Sequence, residues 1–224
     1  MTTTTDAAPP QTSAPLPERA VAAGKWWHER RNLVIAVAGA AALIGLGTWF
    51  VITSGRRKEE FAQQQLTRAR EIAESGNLAQ ASSDLQKIIT TYSGTDAASE
   101  ALLTLNEVRM VNGQGELAIL GLRDFLKTNP AMRYVAPAQA LLGSALENAK
   151  KPDEAAQAYL AAADAATLDY LKAGYLIEAG RALAAAGKKD KAIEVYRKVV
   201  KDMPKTPGFT EASVRLSELT GGQM

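Results

Sequence analysis

The stretch AGYLIEAGRALAAAGKKDKAIEVYRKVVKDMP, residues 173–204, contains two amphipathic segments on either side of one turn. It predicts a helix from Ala173 to Ala186, a turn over 187–190 and a second helix from Lys191 to Asp202. The second helix must end before Pro204, because proline has no backbone N–H and cannot continue a helix. Such a pair cannot cover its own apolar face, so it must stack on other copies.

Earlier copies of this pair are visible as residues that recur every 37 positions. The register is defined by four alanines, Ala81, Ala118, Ala155 and Ala192. Four positions after each alanine come Leu85, Leu122, Tyr159 and Tyr196, and five positions before it come Gly76, Gly113, Lys150 and Gly187. Four copies in register predict an all-α solenoid of four helix pairs. A lone helix over Thr210 to Thr220 is predicted to cap it.

A second feature is the uncharged run LVIAVAGAAALIGLGTWFVIT from Leu33 to Thr53. As a helix it would cover roughly 30 Å, the thickness of the hydrocarbon core of a bilayer, so it predicts a single transmembrane helix. Tryptophans and basic residues favour the two interfaces of a membrane. The predicted interface residues are Trp26, Trp27, Arg30, Arg31, Trp49, Arg56 and Arg57.

These features divide the chain into a disordered tail (1–24), a membrane segment (25–55), a repeat domain (56–208) and a capping helix with a frayed end (209–224). The repeats are predicted at about 60–94, 95–131, 132–168 and 169–208. The alternative of a cleaved signal peptide is disfavoured, because the apolar run is too long and no small-residue cleavage site follows it. Basic residues flank the run on both sides, so charge does not decide its orientation.

Composition excludes several classes of function. The chain has no cysteine and one histidine, His28, which excludes thiolate chemistry, most structural zinc sites and a lipid-modified cysteine. Lys and Arg total 26 against 24 Asp and Glu, so no basic surface for nucleic acid is expected. We therefore predict a non-enzymatic protein with no cofactor, no metal and no small-molecule substrate.

Two copies carry a resemblance to the tetratricopeptide consensus. It rests in one copy on Leu176, Ala179, Gly180, Leu183, Gly187, Ala192, Tyr196, Val199 and Pro204, and in the other on Gln139, Leu142, Gly143, Leu146, Ala155, Tyr159 and Ala162. The first two copies depart further, with Arg109 in place of a large apolar residue, and Lys150 replaces the turn glycine in the third copy.

The layout of a short tail, one uncleaved anchor and a C-terminal repeat domain also resembles the YfgM-type ancillary subunits of the bacterial SecYEG translocon. That resemblance implies a bacterial inner-membrane protein with a cytoplasmic N-terminus and a periplasmic repeat domain. It also implies a role beside chaperones that act on secreted proteins.

Stacked helix pairs form a concave groove lined mainly by the first helix of each pair, and such grooves bind extended peptides or helices. The repeat register predicts as groove residues Leu66, Arg70, Glu100, Leu103, Glu107, Met110, Ser144, Glu147, Ile177 and Arg181. The predicted function is a protein–protein interaction scaffold in the membrane, an accessory to translocation and folding. The alternative is a structural subunit that braces a larger membrane complex, and the expected partners are proteins and the lipid bilayer.

Overall fold

The computed structural model describes the backbone of residues 18–222 and the side chains of residues 30–222. Within this range the chain forms nine α-helices and no strand, which confirms the all-α class. The helices are α1 (Glu18–Glu74), α2 (Leu78–Thr91), α3 (Asp96–Val111), α4 (Gly115–Lys127), α5 (Met132–Asn148), α6 (Pro152–Ala165), α7 (Asp169–Ala185), α8 (Lys189–Asp202) and α9 (Gly208–Thr220). The chain divides into two units, Met1–Ser54 and Gly55–Met224.

The first unit is helical from Glu18 onward. Helix α1 thus begins within the segment 1–24 that the sequence predicts as a tail. The physical reason is that Glu, Arg and Ala are good helix formers and no proline follows Pro17 in this stretch. Residues 1–17 of the predicted tail lie outside the described residues.

One helical span in the described range, Arg30–Glu74, is long and apolar enough to cross a membrane, with a mean hydropathy of 2.1 in its most apolar window. None of the residues of that window is buried by the protein itself. Its large apolar side chains, including Leu43, Ile44 and Trp49, are exposed. Burying such a surface in lipid is favourable, and leaving it in water is not.

The second unit is a succession of short helix pairs. Ala62, Leu66 and Ala69 on α1 share an apolar core with Leu85 and Ile88 on α2. Further pairs are formed by α3 with α4, α5 with α6, and α7 with α8, and α9 packs on both α7 and α8. The second helix of each pair also packs on the first helix of the next, as α6 does on α7. This connectivity is that of an α-solenoid.

Equivalent positions of the four copies have equivalent environments. Ala81, Ala118, Ala155 and Ala192 are each fully buried. The large residues that follow them, Leu85, Leu122, Tyr159 and Tyr196, are at most 3% exposed. Small side chains allow the two helices of a pair to approach closely, and the larger residue one turn later fills the space between them.

The turns between paired helices also have one geometry. Gly76, Gly113, Lys150 and Gly187 all adopt a positive φ, between 57° and 86°. In each case the backbone N–H of the next residue donates a hydrogen bond to the carbonyl five positions before it, as from Lys188 N to Leu183 O at 2.9 Å. This is the helix termination in which glycine is favoured, because a Cβ is strained at a positive φ.

Polar contacts fix neighbouring copies to each other. Lys151 Nζ donates to Glu116 at 3.0 Å, and the same bond recurs one copy later between Lys188 and Asp153. At the start of the second unit, both carboxylate oxygens of Glu59 accept backbone N–H groups at the beginning of α3.

Candidate protein-binding groove

Three cavities follow one another along the first helices of the pairs, and together we call them the groove. The first cavity has a volume of about 340 Å³ and lies between α1, α2 and α3. It is lined by Arg70, Ala73, Glu74, Leu78, Thr104, Glu107, Val108 and Val111.

The central cavity, of 640 Å³, extends from α3 across α5 to α7. Its lining is Glu107, Pro137, Ala140, Leu141, Ser144, Glu147, Asn148, Tyr159, Tyr175, Glu178 and Arg181. The last cavity, of 160 Å³, is lined by Arg181, Ala184, Tyr196, Arg215, Glu218 and Leu219. Glu107 and Arg181 each line two cavities, so the three form one continuous groove.

A hydrogen-bonded cluster lies in the central cavity. The Tyr159 hydroxyl donates to Glu147 Oε2 at 2.9 Å and lies 3.0 Å from Ser144 Oγ. Arg181 bridges two carboxylates, because its Nη2 lies 2.9 Å from Glu147 Oε2 and its Nε donates to Glu178 at 3.0 Å. Charge-assisted bonds of this kind hold the side chains of α5, α6 and α7 in one arrangement.

Burial within this cluster raises the pKa of Tyr159 to about 12, with the neighbouring Glu147 carboxylate adding to the effect. The hydroxyl therefore stays protonated and remains a donor at neutral pH. The pKa of Arg181 is raised chiefly by its bond to Glu178, so its charge is fixed.

The first cavity contains a second ion pair. Arg70 Nη2 lies 3.2 Å from Glu100 Oε2, and Arg70 Nε donates to Thr104 Oγ1 at 3.4 Å. Glu107, one turn beyond Thr104, has no hydrogen bond or ion pair to any side chain that the structure describes. Burial raises the pKa of Glu107, while the charge of Arg70 acts in the opposite direction.

The structure brings together five of the predicted groove residues as lining of the first and central cavities: Arg70, Glu107, Ser144, Glu147 and Arg181. Glu100 lies beside the first cavity as the partner of Arg70. Leu103 and Met110 are half-buried and pack against the hydrophobic core.

Leu66 and Ile177 are placed elsewhere. Leu66 is fully buried and Ile177 is 6% exposed, so neither is accessible to a ligand. The reason is that one face of each first helix packs on its pair while the adjacent face lines the groove. Both residues lie on the packed face.

The sequence did not reveal Tyr159 as a groove residue. Its place on a second helix indicates core, and its ring is indeed buried, but its hydroxyl reaches the central cavity. The available signal was the difference between copies, since tyrosine replaces the leucine of the first two copies. Tyr175 and Glu178 also line the central cavity and were not predicted.

Among the predicted membrane-interface residues, Arg30, Arg31, Trp49, Arg56 and Arg57 are exposed on α1. The side chains of Trp26 and Trp27 lie outside the described residues.

Comparison with known proteins identifies the class of repeat. The model of the tetratricopeptide repeat family matches residues 176–206, which correspond to most of α7 and all of α8. No functionally curated protein matches the chain in sequence.

Solved structures share the fold. A crystal structure of MamA protein is 24% identical with a TM-score of 0.56, over 73% of this chain and 82% of that one. A putative kinesin light chain from Podosopora anserina with nearly identical TPR-like repeats is 19% identical with a TM-score of 0.58, over 71% of this chain and 85% of that one. A tetratricopeptide repeat protein from Parabacteroides merdae is 12% identical with a TM-score of 0.56, over 71% of this chain and 60% of that one. The family match and the fold together support a tetratricopeptide-repeat protein.

Proposed function

We propose that this protein is a single-pass, membrane-anchored scaffold whose groove binds segments of other proteins. The observation that carries the proposal is the continuous groove, in which apolar side chains such as Leu141 and Val111 alternate with charged ones such as Glu107 and Arg181. Mixed surfaces of this kind suit peptide segments, which present both apolar and polar groups. Repeats of this class generally mediate protein–protein interactions, and the fold is typically non-catalytic.

The anchor is proposed from the exposed apolar part of α1. We place it in a bacterial inner membrane with the repeat domain in the periplasm, where the protein would assist translocation and folding. The orientation and this role are supported by the resemblance of the layout to the YfgM-type subunits.

Topology is the first test. The chain has no cysteine, so single cysteines are unambiguous reporters. Ser93→Cys lies in the exposed turn after α2, and Thr12→Cys lies in the N-terminal tail. A membrane-impermeant thiol reagent applied to spheroplasts should label Ser93→Cys and not Thr12→Cys. The reverse pattern would place the repeats in the cytoplasm and refute the periplasmic role.

The groove is tested by site-specific photo-crosslinking. A photoreactive amino acid at Asn148, which is exposed in the central cavity, should give protein adducts in intact cells. The same group at Lys198, exposed on α8 and outside all three cavities, is the matched control. Many substoichiometric adducts at Asn148 favour client binding, whereas one partner at a fixed ratio favours a bracing subunit. Adducts at Lys198 alone would refute the groove as the binding site.

A further inference from the structure

The groove contains one series of equivalent positions that runs its whole length: Arg70, Glu107, Ser144, Arg181 and Glu218 follow at 37-residue intervals. Four of these side chains are engaged by neighbours. Arg70 pairs with Glu100, Ser144 bonds to Tyr159, Arg181 pairs with Glu147, and Glu218 pairs with Arg215. Among the residues that the structure describes, Glu107 is the member of the series without such a partner.

The reason lies in the residues on the first helix of the next copy. Arg70 meets Glu100 and Thr104, which follow it by 30 and 34 positions. The residues that follow Glu107 by the same 30 and 34 positions are Pro137 and Leu141. Both line the central cavity, and neither side chain has a polar group for a carboxylate. Glu107 is therefore an exposed carboxylate that shares the central cavity with two apolar side chains, and partial burial at the cavity wall raises its pKa. A carboxylate that lies beside apolar surface and has no ion-pair partner can accept charge-assisted hydrogen bonds from a cation that reaches it.

The charge of Arg70 acts on Glu107, but no cation among the described residues forms an ion pair with it. Arg70 is engaged by Glu100, and Arg181 is shared between Glu147 and Glu178. The carboxylates lining the first and central cavities are Glu74, Glu107, Glu147 and Glu178, against the two arginines Arg70 and Arg181. The groove is thus negative around Glu107, which makes it complementary to a basic ligand.

Glu107 also stands beside an apolar recess. Ala73, Leu78, Val108 and Val111 line the first cavity, and Val111 is 76% exposed. Glu107 lines both the first and the central cavity. A side chain bound at Glu107 would therefore have apolar surface on both sides: the recess of the first cavity on one side, and Pro137 and Leu141 of the central cavity on the other.

From this arrangement we propose that the groove selects extended peptide segments in which a lysine or arginine lies between apolar residues. The basic side chain would pair with Glu107, and one apolar neighbour would enter the first cavity. The inference rests on the proposed function and adds the chemistry of the partner.

The test uses the full chain in nanodiscs and three fluorescein-labelled peptides, Gly-Ser-Leu-Xaa-Leu-Ser-Gly, where Xaa is Lys, Gln or Glu. Fluorescence anisotropy should show the Lys peptide binding about three- to fivefold more tightly than the Gln peptide, and the Glu peptide most weakly. Glu107→Gln, which keeps the shape of the side chain, should reduce the ratio of Lys to Gln affinity to about one. Glu71→Gln, at an exposed carboxylate on α1 outside the cavities, should leave the ratio unchanged.

Lowering the pH should weaken the preference for the Lys peptide as Glu107 becomes protonated. Circular dichroism of Glu107→Gln should match that of the unaltered protein, since Glu107 makes no side-chain hydrogen bond or ion pair with any residue that the structure describes. Equal affinity for the three peptides, no binding of any of them, or a preference that survives Glu107→Gln would overturn the inference. Photo-crosslinks at Asn148 would still stand in that case, so failure of this inference is distinct from failure of the proposed function.

Discussion

The ring of Tyr196 lies against Gly180 so closely that a Cβ atom at residue 180 would stand 2.6 Å from two ring carbons. The same relation recurs one copy earlier, where a Cβ at Gly143 would stand 2.7 Å from the ring of Tyr159. In the first copy the equivalent residues are Ala69 and Leu85. The later copies therefore combine a larger residue on the second helix with a glycine on the first.

Gly180→Ala should destabilise the protein although alanine is the better helix former. Overpacking costs about 1–3 kcal/mol, which outweighs the gain of about 1 kcal/mol in helix propensity. Gly174→Ala in the same helix is the control, because nothing lies within 4 Å of the added Cβ. Thermal unfolding should show a lower Tm for Gly180→Ala and an unchanged or higher one for Gly174→Ala. Equal shifts in both variants would contradict the close contact.

Tyr196→Leu should rescue Gly180→Ala, because the double variant recreates the Ala69 and Leu85 pair of the first copy. Tyr196→Leu alone removes packed volume and should destabilise. We expect the double variant to lose less unfolding free energy than the two single variants lose together, by about 1 kcal/mol or more. Strict additivity in denaturant unfolding would show that the two residues do not interact.

Lys150→Gly should stabilise the protein. Lys150 has a φ of +57°, in the turn where the other three copies have glycine. A side chain in this conformation costs about 1–2 kcal/mol, of which about 0.4–1 is offset by the greater freedom of glycine in the unfolded chain. We expect a net gain of about 0.5–1 kcal/mol in denaturant unfolding. Gly187→Lys is the reciprocal control and should lower the stability; a Lys150→Gly variant that unfolds more easily would contradict the argument.

These relationships show how far sequence reasoning reaches. The repeat register predicts the helix pairs and the position of the turns between them, because both follow from local chemistry repeated in each copy. It does not predict that Leu66 and Ile177 point into the core, since adjacent helix faces differ by only one or two positions in register. Nor does it predict the isolation of Glu107 or the reach of the Tyr159 hydroxyl, which depend on the residues that a neighbouring copy places opposite them.

Glu59→Ala should loosen the start of α3. The two carboxylate oxygens of Glu59 accept the N–H groups of Asp96 and Ala97, both at 2.8 Å. Removing a charged acceptor at a helix N-terminus costs about 1–2 kcal/mol. Amide hydrogen exchange should become faster at Asp96 and Ala97, with a smaller effect for Glu59→Gln. Glu60→Ala, at the exposed neighbouring residue, should leave the exchange unchanged, and protection that persists in Glu59→Ala would argue against this cap.

Alkaline pH should destabilise the repeat domain through its buried tyrosines. Burial raises the pKa of Tyr159 and of Tyr196 to about 12, from the ordinary value of 10.0. Between about pH 10 and pH 12 both hydroxyls stay protonated in the folded chain, whereas they ionise in the unfolded chain. Their contribution is therefore complete below about pH 10 and is lost as the pH rises toward 12.

The two tyrosines should respond differently to replacement by phenylalanine. Tyr196→Phe should change little at pH 7, because the described residues include no hydrogen-bond partner for its hydroxyl, and it should reduce the loss of stability at high pH. Tyr159→Phe leaves Glu147 and Ser144 without this partner and should cost about 1–2 kcal/mol at pH 7. Unfolding free energies at pH 7 and pH 11, compared with absorbance titration of tyrosinate, test both. If Tyr196→Phe lost as much stability between these pH values as the unaltered protein, ionisation of Tyr196 would not be the cause.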